Sequence, residues 1–154
     1  MRVGDLAPDF TLLDQYGAER TLSTLLASGA LALFFYPAAM TSGCTKESCA
    51  FRDLGAQFEA LGAQRVGISM DSVQRQSQFT QKNQLDYPLL ADVGGHVARQ
   101  FGVKRSLDLL KVKRSTFVID KERRVVDVIS SEINMDAHAQ RALESLRALY
   151  SARN

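Results

Sequence analysis

"LALFFYPAAMTSGCTKESC", residues 31–49, joins two patterns that set the fold. Its first six residues form an unbroken apolar run of strand length, which suits a strand buried on both faces. Beyond Pro37, the residues Cys44, Glu47, Phe51, Leu54, Phe58 and Leu61 recur at steps of three and four, marking one face of a single helix. A buried strand feeding an amphipathic helix is the start of an α/β arrangement. Both cysteines of the chain, Cys44 and Cys49, lie on that helix.

Working outward, residues 9–14 (DFTLLD) and 19–23 (ERTLS) flank the turn signal QYG and predict an N-terminal β-hairpin. Residues 65–70 (RVGISM) read as a second strand. Residues 72–83 read as a polar helix with Ser72 as its cap, and residues 94–101 as a short helix. Residues 115–120 (STFVID) and 125–130 (VVDVIS) pair around the charged turn KERR, too short a link for anything but an antiparallel pair. A final helix over 136–150 turns Ala142, Leu143, Leu146, Leu149 and Tyr150 inward. This element order is that of an α/β, thioredoxin-like fold: a mixed central sheet flanked by helices, with the hairpin as an extension, in one domain over residues 1–154.

The chain has 154 residues, 45% of them hydrophobic and 23% charged, and a net charge of +2. A core of that size stands without disulfides, and two cysteines are too few for a secreted scaffold. No basic run points to nucleic acid, and the longest apolar stretch, from Ala30 to Met40, is too short to span a bilayer. The N-terminus has no apolar signal region, so the expectation is a cytoplasmic protein with reduced thiols.

Packing, metal binding or reactivity could explain the two cysteines. Their spacing is not that of a redox C-x-x-C pair, and no second pair completes a zinc site. His96 and His138 share no spacing with them and read as helix-surface residues, so no metal or other cofactor is expected. Cys44 falls on the core stripe but in the first helical turn, where unpaired N–H groups and the helix dipole favour a thiolate. Cys49, about 140° around the helix, falls on a more polar face.

The segment FFYPAAMTSGCTKESCAFRD resembles the active-site segment of peroxiredoxins, whose Pro-x-x-x-Thr-x-x-Cys motif is matched by Pro37, Thr41 and Cys44. VGDLAPDFTLLDQYG, DYPLLAD and KRSTFVIDK extend the likeness, and CTKESC is similar to the bacterioferritin comigratory protein, or peroxiredoxin Q, branch. The resemblance implies a thiol peroxidase that reduces hydrogen peroxide and organic hydroperoxides and is recycled by thioredoxin as a monomer. It further implies Cys44 as the peroxidatic cysteine, Thr41 as hydrogen-bond donor to thiolate and peroxide, and Pro37 as a shield against water. Arg114 would stabilise the thiolate and the leaving oxygen, Glu47 would orient Arg114, and Cys49 would resolve the sulfenic acid as a disulfide. Many relatives have proline where Ser42 stands, and residues 72–83 hold no cysteine that could replace Cys49 in that role. On an intact helix residues five apart lie roughly 8–9 Å apart, so a Cys44–Cys49 disulfide requires local unwinding. The rival readings are a thiol–disulfide oxidoreductase, which would need C-x-x-C, and a non-enzymatic redox sensor.

Overall fold

The computed structural model describes residues 1–105 and 112–152. Strand β3 (Leu31–Phe35) is buried along its whole length, as its apolar run requires. Its side chains alternate between two cores. Leu31, Leu33 and Phe35 join Leu22, Leu26, Phe101 and Phe117, while Ala32 and Phe34 join Cys44, Phe51, Phe58 and Leu146. Parallel to β3 runs β4 (Gln64–Ser69), and parallel to β4 runs β5 (Leu89–Ala91). β6 (Ser115–Ile119) pairs antiparallel on the other side of β3, and β7 (Val125–Ser130) antiparallel to β6. The N-terminal hairpin of β1 (Thr11–Leu13) and β2 (Glu19–Thr21) closes the far edge through Leu13 opposite Ala91. The sheet order among the described residues is β2-β1-β5-β4-β3-β6-β7.

Helices cover both faces. α1 (Leu22–Leu26) and α5 (His96–Gln100) serve the first core, and α2 (Ser42–Asp53), α3 (Gly55–Ala60), α4 (Val73–Asn83) and α6 (Met135–Ala152) the second. Ser72 caps α4 as its position suggests, accepting from the Arg75 N–H. α1 replaces the tail of the expected second hairpin strand. Leu22, Leu25 and Leu26 bury themselves with helical spacing, and packing overrides the strand-like local sequence. β5 spans only Leu89–Ala91 and follows Pro88, too little periodic sequence to be read as a strand.

The single helix expected through Leu61 is two helices broken at Leu54. Arg65, arriving from β4, donates to the Phe51 carbonyl at 3.1 Å, the acceptor the Gly55 N–H would otherwise use. A side chain at position 55 would lie 2.8 Å from that guanidinium, so a larger residue there has to push Arg65 aside. Before the break, the Phe51 ring stacks on Phe34 at 4.1 Å between centroids and fixes α2 against β3.

Candidate active site

The turn after β3 delivers α2 to the carboxyl end of the central strands. Pro37 is buried at its start, and Met40 takes a left-handed backbone with φ 71°, a conformation uncommon for a non-glycine residue. The turn is clamped from the β4–α4 connection. The Ala39 N–H donates to Asp71 Oδ2 at 2.7 Å, and Arg75 Nη2 donates to the Ala39 carbonyl at 3.3 Å. Asp71 is held in turn by Ser69 Oγ and Arg75 Nε. These two supports carry no spacing signal in the sequence, because the turn and β4 meet only across the sheet.

Thr41 stands at the N-cap of α2 with extended backbone, and its carbonyl accepts from the Thr45 N–H and hydroxyl at 2.9 and 2.7 Å. Its own hydroxyl donates to the Ala38 carbonyl at 2.8 Å. A hydroxyl has one proton to give, so the expected donation to Cys44 is not made in this state. Turning the Thr41 hydroxyl toward the sulfur requires releasing Ala38.

Cys44 is fully buried in the first turn of α2, facing the second core as its stripe position predicts. Arg114 immediately precedes β6 and reaches across from that strand. One guanidinium nitrogen, Nη2, lies 3.3 Å from Cys44 Sγ, and the other, Nη1, donates to Glu47 Oε1 at 2.8 Å. The planar fork thus engages sulfur and carboxylate through two separate nitrogens held in one plane. Arg114 is 6% exposed and Glu47 0%, so neither is a plain surface charge. The Arg114 backbone is fixed by its N–H donating to Glu132 Oε1, which also accepts from Arg105.

Burial pushes the Glu47 carboxyl up to about 8 against the pull of Arg114. Burial works against the Arg114 charge too, but Glu47 and Cys44 outweigh it and hold the guanidinium protonated. The arrangement is a sulfur at a helix N-terminus with a cation beside it. It offers stabilisation to an anionic nucleophile and to negative charge developing on a neighbouring oxygen.

Cys49 is half-buried, its sulfur 3.9 Å from Asn83 Oδ1 on α4. Both thiols are free, and α2 is unbroken between them. His138 departs from expectation: it lies on α6 but is 0% exposed, tied to Thr116 and to the Ser131 carbonyl. Its burial was not legible because those partners come from β6 and from the turn after β7. Among the described residues no helix is long and apolar enough to cross a membrane.

Residues 3–128 match the AhpC/TSA family. A putative peroxiredoxin of Mycobacterium tuberculosis is 58% identical over 153 residues, covering 98% of this chain and 99% of that one. The chloroplastic peroxiredoxin Q of Sedum lineare is 38% identical over 146 residues, covering 95% of this chain and 78% of that protein. The crystal structure of the peroxidoxin BcpB from M. tuberculosis superposes with a TM-score of 0.93 at 58% identity, over 97% of this chain and 98% of that one. Identity at this level over nearly the whole length, with an arginine-paired thiol at a helix start, sets aside the thiol–disulfide oxidoreductase reading. The chain belongs to the AhpC/TSA family and, within it, to the peroxiredoxins of the peroxiredoxin Q and bacterioferritin comigratory protein type, which are thiol-dependent peroxidases.

Proposed function

We propose that Cys44 is the peroxidatic cysteine and Cys49 its resolving partner in an atypical two-cysteine cycle completed within one chain. The observation that carries this reading is the buried bridge from Cys44 Sγ through Arg114 to Glu47 at the first turn of α2. The Cys44 thiolate attacks the hydroxyl-bearing oxygen of a hydroperoxide. An S–O bond forms as the O–O bond breaks, leaving Cys44 as sulfenic acid, and the departing alkoxide or hydroxide takes a proton. Arg114 offsets the negative charge as it passes from sulfur to the leaving oxygen. Because this chemistry acts on the O–O end alone, hydrogen peroxide and organic hydroperoxides both serve. Pro37 keeps water from the sulfur, and Thr41, once its hydroxyl leaves Ala38, donates to the bound peroxide.

Cys49 as thiolate then displaces hydroxide from the sulfenic sulfur, water is released, and the disulfide is reduced by thioredoxin through dithiol exchange. Every residue in the cycle comes from this chain, so it can run as a monomer, and a composition with too few cysteines for a disulfide scaffold supports the reducing cytoplasm. Cys44→Ser should abolish peroxide consumption. Cys49→Ser should consume about one equivalent per chain and then stop despite thioredoxin and its reductase, since no second thiol closes the disulfide. Loss of the first equivalent in Cys49→Ser would reverse the assignment of the two thiols.

A further inference from the structure

The peroxidase cycle above makes no use of His138, yet its ring completes the buried end of the site. Nε2 lies 2.8 Å from the Ser131 carbonyl, which can only accept, so Nε2 carries the hydrogen of the neutral ring. Nδ1 is then a bare acceptor. It faces Thr116 Oγ1 at 2.8 Å and Glu47 Oε2 at 3.5 Å, and its one lone pair can take a hydrogen from either. That carboxyl oxygen is buried and has no hydrogen-bond partner. An ionised Glu47 would set a negative oxygen against a lone pair in a site closed to water. A proton on Oε2 converts that repulsion into an O–H···Nδ1 contact.

We propose that His138 is a positioning residue of peroxide reduction, holding one proton on Glu47 Oε2 so that the buried array carries a single negative charge, the Cys44 thiolate, matched by Arg114. It rests on the reading of Cys44, Arg114 and Glu47 given above. With Glu47 neutral, Arg114 keeps its hydrogen bond to Oε1, but its charge is committed to the sulfur and then to the leaving oxygen. With Glu47 ionised, two anions divide one cation, and the thiolate and transition state lose stabilisation.

The charged groups around the pair come from every element packed on it: Glu47 from α2, Arg114 before β6, Glu132 in the β7–α6 connection, and Arg141 on α6. Burial holds the His138 ring below its ordinary value, with Arg114 and Arg141 adding to it against the Ser131 bond and Glu132, while burial raises Glu47. Both effects put the shared proton on the carboxyl rather than the ring, in agreement with the geometry.

The test is the pH dependence of the first oxidation, followed in single turnover with hydrogen peroxide up to about pH 9.5. The rate falls at high pH as the Glu47–His138 pair gives up its proton. His138→Phe removes the acceptor for the Glu47 proton and the repulsion that disfavours the anion. The alkaline limb should move down by about one pH unit or more, a tenfold weaker hold on the proton. Glu47→Gln, which cannot ionise, should lose the limb. A histidine with a merely structural role would lower the melting temperature of His138→Phe and leave the limb in place, and that result overturns the proposal. So does a limb that persists in Glu47→Gln.

If His138→Phe does not fold, ¹⁵N-histidine NMR of the intact chain decides. The Nδ1 shift of His138 should step at the pH of the alkaline limb and the step should vanish in Glu47→Gln. A flat signal, or the same step in both proteins, refutes the shared proton. Activity surviving in Cys44→Ser would instead break the site reading beneath it.

Discussion

Disulfide formation between Cys44 and Cys49 has to open the first turns of α2, and one side chain outside the reacting set measures the cost. Tyr87, buried beside β5, donates its hydroxyl to the Ser48 carbonyl at 2.7 Å, inside the segment between the two thiols. Tyr87→Phe deletes that bond and little else, since the ring still packs edge-on to Phe34 and under the Arg65 guanidinium. The Ser48 carbonyl keeps its helical partner, so no buried acceptor is orphaned. A neutral buried hydrogen bond contributes about 0.5–1.5 kcal/mol net, and the opened segment has already given it up. The closed form alone is destabilised, so resolution should accelerate by about 2- to 13-fold.

The assay mixes reduced protein with one equivalent of peroxide, quenches at intervals by alkylation, and counts free thiols by mass. The first oxidation should be unchanged while disulfide closure quickens. At a fixed excess of peroxide the sulfinic form should decline by the same factor, because it arises from sulfenic acid awaiting closure. If Tyr87→Phe lowers global stability by about 1 kcal/mol yet closes its disulfide at the wild-type rate, the opening does not reach Ser48 and the reasoning fails.

Arg114→Ala should slow the first oxidation by about 10²–10³, the usual cost of losing one donor to a developing oxyanion. Arg114→Lys should recover only part, since an ammonium lacks the planar fork that holds Glu47 Oε1 and Cys44 Sγ on separate nitrogens; a stopped-flow rate equal to wild type in the alanine variant would remove Arg114 from the chemistry. Glu47 also sets a pH dependence of stability. Its carboxyl is raised in the folded state from 4.5 to about 8, so folding binds a proton that the unfolded chain releases. The resulting stabilisation is complete below 4.5 and is lost as pH rises through about 8, at up to about 1.4 kcal/mol per pH unit. Melting curves of the wild type should therefore fall across that window while those of Glu47→Gln stay flatter; parallel curves would show that Glu47 is ionised throughout.

Much of this was legible in residues 31–49. The unbroken apolar run from Leu31 reads as a strand buried on both faces without tertiary information, and β3 is buried along its whole length. Cys44 and Glu47 were placed on a common inward face by helical spacing alone, and both are buried there. What the sequence hid depended on groups arriving from elsewhere in the fold. The helix break at Leu54 is made by a guanidinium from β4, and the burial of His138 by Thr116 and the Ser131 carbonyl. The clamp on Ala39 comes from Asp71 and Arg75, and the Thr41 hydroxyl is drawn away by a carbonyl in its own turn. Each is a long-range or rotameric choice that periodicity does not encode.

The two halves of α2 are secured by different kinds of contact, and the division falls at the thiols. Beyond Cys49 the helix is held by structural bonds: Phe51 stacked on Phe34, Arg65 on the Phe51 carbonyl, and Arg52 Nη1 on the Asn83 carbonyl at 2.7 Å. From Cys44 to Glu47 the side-chain contacts across to other elements are those of Arg114 to the sulfur and the carboxyl and of His138 to Glu47 Oε2, all groups proposed for the reaction itself. The first of these depends on charge. A thiolate beside Arg114 is a strong acceptor, whereas a neutral sulfenic acid is a weaker one. Oxidation of Cys44 therefore removes part of what keeps its own turn helical, and leaves the Phe51 anchor intact. Attack needs the ordered turn and resolution needs it undone, and on this reading the change of charge on one sulfur separates the two in time.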